Sequence, residues 1–190
     1  MPDPKRALQS GDGLLVVDVQ KCFSQGGALA VEGGDEIVPI LNRWIEAAQE
    51  KSVPVYASRD WHPRHHPSFE EQNGKWPPHC IQDSEQAKFH PDLRLPENAV
   101  KVTKGVRFDQ DQNSVFDETG FVERLRDDGV ERLWIGGLAL DACVLATVLD
   151  ARKAGYAVYL LQEGTRPVNA DGGREALELM QEAGAEIVED

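Results

Sequence analysis

Cys143 stands at the start of a segment with helical periodicity, where the partial positive charge of a helix N-terminus favours thiolate over thiol. The run before it, Gly136-Gly137-Leu138-Ala139-Leu140, is flexible enough to turn backbone N–H groups toward a developing oxyanion. An ordinary cysteine has a pKa of roughly 8.5, so attack on a carboxamide at neutral pH needs a base. Asp18 closes a short apolar run and can accept that proton. Lys104 closes another and can stabilise the charges that result. A third group lies in DWHPRHHPSF and WPPHC, where Asp60, His62 and His79 offer one carboxylate and two imidazoles, a donor set that suits zinc, iron or manganese. His65 and His66 offer a further imidazole and Glu70 or Glu71 a further carboxylate, which leaves the number of ligands open. Phe23 and Trp76 are either core or the walls of a pocket for a planar ring.

Each group has a plainer reading taken singly. An isolated cysteine is commonly a small buried hydrophobe, a strand-end aspartate an ion-pair partner, and a His-rich loop a solvated surface. Their order along the chain argues against coincidence. GLLVVDVQ, VPVYAS, AVKVT, RLWIGG, YAVYLLQ and AEIVE read as buried strands. Helical patterns lie between them over 35–51, 116–128, 141–155 and 174–183. Pro39 falls in the first turn of the first of these, where its missing N–H costs little.

Strands alternating with helices imply right-handed βαβ units and a mostly parallel sheet of six strands with helices on both faces. Such sheets bind ligands beyond the carboxyl ends of their strands. Asp18, Asp60 with His62, Lys104 and Cys143 follow four different strands, and all emerge on one edge. The expected organisation is a single α/β domain over 1–190, with a long Pro- and His-rich excursion at about 59–98.

Bulk properties narrow the partners. The chain has 190 residues, 41% hydrophobic and 28% charged, ordinary values for a globular protein. A net charge of −13 repels nucleic-acid phosphates and anionic lipid surfaces. A small molecule is the expected partner, with self-association into a homo-oligomer left open. There is no N-terminal apolar run of signal-peptide type, and the three cysteines at wide spacing do not form a disulfide framework. A reducing, cytoplasmic setting is therefore expected, with Cys22 and Cys80 structural.

VVDVQKCF with GGALAVEGGDEIVP, then SRDWHPRHHPSF, KWPPHC, TKG, SVF and GGLALDACVLATVLDA, resemble in order and spacing the nicotinamidase branch of the isochorismatase-like cysteine hydrolases. The resemblance implies a Rossmann-like three-layer fold and a Cys–Asp–Lys triad on Cys143, Asp18 and Lys104. It implies a divalent metal, zinc before iron or manganese, on Asp60, His62 and His79, with His66 as a further candidate. It also implies a cis peptide before Ala139, which lets the amides of Ala139 and Cys143 form an oxyanion hole. The implied activity is hydrolysis of nicotinamide to nicotinate and ammonia through a thioester, serving pyridine-nucleotide salvage. The chain departs from the family pattern G-x-A-T-[DE]-Y-C at Leu140 and Ala142, and carries Asn113 where many members have tyrosine. These changes spare the triad and motivate a second expectation, an amidase for another small amide such as pyrazinamide or an N-carbamoyl or ureido compound. A non-catalytic metal- or ligand-binding module would not need the cysteine, nor would vinyl-ether hydrolysis.

Overall fold

The computed structural model describes residues 2–189. Among these, six strands form one sheet: β1 Asp12–Val17, β2 Val55–Asp60, β3 Val100–Lys104, β4 Arg132–Leu138, β5 Ala157–Arg166 and β6 Glu186–Val188. Their order is β3-β2-β1-β4-β5-β6, and every pairing is parallel. The topology reverses at β1, so the crevice beyond β1 and β4 is where a ligand should bind.

Side-chain alternation sorts the core into two layers. Leu14 and Val16 of β1 face one layer, with Ile37, Leu41, Trp44 and Ile45 of the helix Ile37–Glu50. Leu15 and Val17 face the other, with Phe121, Leu125, Val144, Val148, Ala176 and Met180. Those six come from α3 (Phe121–Asp127), the helical turn at 140–144, α4 (Leu145–Lys153) and α5 (Ala170–Glu182). The helix α2 spans Ile37–Glu50, after a short Pro4–Ala7 helix, α1, that hydrophobic periodicity did not reveal. Central β1 is buried at all six positions because both of its faces are covered. Trp44 stacks obliquely on Trp134 at 4.9 Å, and replacing so large a buried side chain by alanine typically costs about 3–5 kcal/mol.

The elements differ from the sequence expectation mostly at their ends. The expected helix over 116–128 begins only at Phe121, because Gly120 turns the chain at φ 75°. The last helix begins at Ala170 rather than 174, since the Asn169 side chain accepts from Gly172 N and caps it. Asp60 and Lys104 are the final residues of β2 and β3, in register with each other, rather than residues beyond them. One expectation about the cysteines is overturned. Cys22 and Cys80, 58 residues apart, are joined in a disulfide with their Cα atoms 5.6 Å apart. The turn after β1 packs against the end of the His-rich loop, a proximity that spacing along the chain could not disclose.

Candidate active site

Asp18 lies one residue beyond β1 with φ 48°, a left-handed conformation that is costly for a residue with a Cβ. It is held by Ser58 of β2, whose hydroxyl donates to Asp18 Oδ1 at 2.7 Å. Lys104 is fully buried. Its ammonium is 2.7 Å from Asp18 Oδ2, 2.6 Å from Asp60 Oδ1 and 3.4 Å from Cys143 Sγ. Three strand ends and one helical turn thus meet at a single nitrogen. That is the convergence the strand-end pattern implied.

Burial governs the electrostatics. It pushes the Cys143 thiol well above its ordinary range, and Lys104 opposes this only partly. Burial also raises Asp18, again against the pull of Lys104. Asp60 suffers the same desolvation, but the Lys104 ammonium and His62 outweigh it and hold the carboxyl well below the usual carboxylate range. Burial alone would discharge Lys104, yet Asp18 and Asp60 keep it firmly protonated. The resting arrangement is a neutral thiol, an aspartate with raised proton affinity and a permanent cation between them.

Cys143 sits in a π-helical turn, Leu140–Val144, that runs on into α4. The peptide Leu138–Ala139 is cis. Gly137 has φ 132°, and a Cβ there would run into the backbone of Val17, so β4 can pass this close to β1 only with glycine.

The loop after β2 folds back on itself. His62 N donates to Cys80 O at 2.9 Å and Gln82 N to His62 O at 2.8 Å, which brings the His79 segment alongside His62. One donor atom each from Asp60, His62 and His79 lie within 4.8 Å of one another, all in buried side chains. Nδ1 of His62 is 2.8 Å from Gly105 O and Nδ1 of His79 is 2.8 Å from Pro77 O. Each contact fixes Nδ1 as the protonated nitrogen and leaves the Nε2 lone pair for a ligand, the usual support behind a metal-bound imidazole. A Cβ on Gly105, at φ 67°, would collide with the His62 ring, so the backbone cradles the imidazole. Two carboxylates buried beside a single ammonium leave negative charge that a divalent cation would offset. The donor set fits such an ion.

Asp18, Asp60 and Cys143 are also mutually within 4.8 Å, but the Lys104 ammonium fills the space between them. His66 stands outside the three-residue group. Its ring stacks on His62 at 4.1 Å, its Nδ1 contacts Ser68 Oγ at 2.7 Å, and its buried Nε2 is unpartnered.

A slot leads from solvent to Cys143. Phe23, Trp76 and His79 line it with Ala139 and Ala142, as do Leu29, Val31, Asp111, Asn113 and Val168. The two aromatics named from sequence are thus both in the wall. Leu29, Val31, Asp111 and Val168 escaped notice because nothing in their types or spacing suggests chemistry. Gln20 was also missed: buried, it accepts from Asp60 N and donates to Asp60 O and Ala87 O, each at 2.8 Å, bolting the end of β2 to the loop. A polar residue inside the apolar run VVDVQ was the available signal.

Residues 12–189 match the Isochorismatase domain family, and the chain belongs to that family. A nicotinamidase of Escherichia coli (strain K12) is 40% identical, the match covering 82% of this chain and 83% of that one. The crystal structure of a pyrazinamidase of Pyrococcus horikoshii in complex with zinc superimposes with a TM-score of 0.91 at 42% identity, covering 95% of this chain and 99% of the other. PnC1 from L. infantum, in complex with nicotinate, gives a TM-score of 0.88 at 32% identity, covering 95% and 93%.

Proposed function

We propose that the protein, acting as one domain, hydrolyses nicotinamide to nicotinate and ammonia through a thioester on Cys143. The observation that carries this reading is the buried Lys104 ammonium in contact with Asp18, Asp60 and Cys143, the last two of which line an aromatic-walled slot. Relatives named as nicotinamidases, and one crystallised with nicotinate, support the choice of substrate.

Because burial keeps the thiol protonated, attack begins with transfer of its proton to Asp18, whose own raised proton affinity makes it a competent acceptor. The sulfur then forms a bond to the carboxamide carbon while the C=O π pair moves onto oxygen. Backbone N–H groups of Ala139 and Cys143 hold that oxyanion. Asp18 returns the proton to the nitrogen, the C–N bond breaks, and ammonia leaves. A water gives one proton to Asp18 and attacks the thioester; the C–S bond breaks, the Asp18 proton returns to sulfur, and nicotinic acid departs and loses its remaining proton to solvent as nicotinate. Lys104 stays charged throughout and offsets whichever partner is anionic. Phe23 and Trp76 hold the ring flat.

Asp60, His62 and His79 would hold the divalent ion, zinc before iron or manganese, which supplies Lewis acidity toward the pyridine nitrogen when bound. A role in pyridine-nucleotide salvage follows from the resemblance alone; the cytoplasmic setting expected from the sequence is tested by cell fractionation. Ammonia release from nicotinamide by the purified, metal-loaded protein is the primary experiment. Absence of release, or release undiminished in Cys143→Ala, refutes the reading.

A further inference from the structure

Outside the catalytic slot lies a larger open groove of about 620 Å³. The two cavities share one wall, made of Trp76, Asp111, Asn113, Ala142 and Val168. Three of these are short where the cavities meet: Asn113 and Ala142, two of the positions at which the chain departs from its family pattern, and Val168. Elsewhere in the lining Phe23 and Val31 are only 6% and 5% exposed. The shared wall is thus a route by which a ligand larger than the slot can extend.

The groove floor is a half-buried apolar stripe. Ala142, Leu145, Ala146 and Leu149 recur at i, i+3, i+4 and i+7 along the turn and helix that begin at the nucleophile. Asp141 is also in the wall, but its oxygens accept from Val168 N at 2.7 Å and Asn169 N at 3.3 Å, so they are already engaged. Lys75 lies over the Trp76 ring, 5.0 Å from its centroid. The groove floor therefore offers a flat, apolar surface continuous with the reacting centre, flanked by the charged side chains of Asp111 and Lys75.

We propose that this groove is a second substrate subsite, which admits pyridine carboxamides carrying an apolar or aromatic substituent on the ring edge remote from the reacting group. The assignment rests on the hydrolase reading of the inner site. In nicotinamide the ring nitrogen and the carboxamide carbon are meta to each other. With the carboxamide at Cys143 and the nitrogen toward Asp60, His62 and His79, ring carbon 5 points directly away from both. The shared wall is a part of the lining that holds neither Cys143 nor any of those three residues, and we assign it to that direction.

The test compares nicotinamide with 5-phenylnicotinamide on the metal-loaded enzyme. It uses the unaltered chain and two groove-filling variants from the half-buried stripe, Ala146→Phe and Leu149→Trp, each checked for folding by its melting curve. The unaltered enzyme should turn over the phenyl compound with a kcat/KM within about tenfold of that for nicotinamide, and each variant should lower the phenyl-to-parent ratio by about tenfold or more. Taking the ratio within each variant cancels any general loss of activity. Calorimetric titration with the two product acids gives a readout apart from turnover: the variants should weaken 5-phenylnicotinate more than nicotinate.

Turnover of nicotinamide without turnover of the phenyl compound overturns the subsite and leaves the hydrolase reading intact. Turnover of neither defeats both. A ratio unmoved by both variants, or a solution dimer that buries the α4 stripe, also overturns the subsite.

Discussion

Asp18, Asp60 and Lys104 leave the sheet on the last residue of a strand or one beyond it, whereas His62, His66 and His79 hang on an irregular loop outside it. The first group is held by the ladder itself, since Asp60 and Lys104 are paired in register and β1 lies beside β2. The second is held by hydrogen bonds of ring nitrogens, those of His62 and His79 to the carbonyls of Gly105 and Pro77 and that of His66 with the Ser68 hydroxyl, and by the folding of the loop back on itself. Charge follows the same division: the strand-end cluster is a buried ion network, while the loop cluster is three imidazoles beside one carboxylate. Damage to the strand ends should therefore harm chemistry and folding together. Damage to the loop should harm metal retention first.

Perturbations sharpen that contrast, beginning with the largest expected effect. Cys143→Ala should lower kcat by roughly 10⁴-fold or more in a steady-state ammonia assay, with little change in melting temperature, because only the nucleophile is lost. Lys104→Met should abolish activity as well, and should also destabilise. Removing the cation strands two buried carboxylates, a change worth about 3–5 kcal/mol in denaturant titration. An unchanged midpoint would break the claim that this lysine organises the site. His79→Ala should lose bound metal, measured by elemental analysis, while costing less stability than Lys104→Met. Gly105→Ala should push the His62 ring off its seat and weaken metal affinity by about 10–100-fold, read by competition with a chelator. Smallest is Ser58→Ala, which removes the hydroxyl that donates to Asp18 Oδ1 and accepts from Asp18 N, and should cost about 1–3 kcal/mol in stability or transition-state binding.

The same division explains what could be read from the sequence. Parallel strands announce themselves as short apolar runs, and their ends mark one edge, so Asp18, Lys104 and Cys143 could be placed together before any coordinates. The histidines could be recognised by donor chemistry but not sorted by it. His66 and His79 are equally plausible as residue types, and only the backbone path from Cys80 to His62 puts one beside Asp60 and His62 and the other in a stack behind them. Gln20 and Ser58 act through geometry between strands that are distant in sequence. The Cys22–Cys80 bond escaped for the same reason, since its closure depends on how the loop returns to β1. Helix ends were misjudged where a single residue decides them, as Gly120 and Asn169 do.

Intact-mass and peptide analysis of enzyme rapidly quenched in acid while turning over nicotinamide tests the central claim most directly. A nicotinoyl group should appear on the peptide that contains Cys143 and vanish as substrate is exhausted. Full turnover with that peptide unmodified, or with the acyl group on any other residue, would contradict the account.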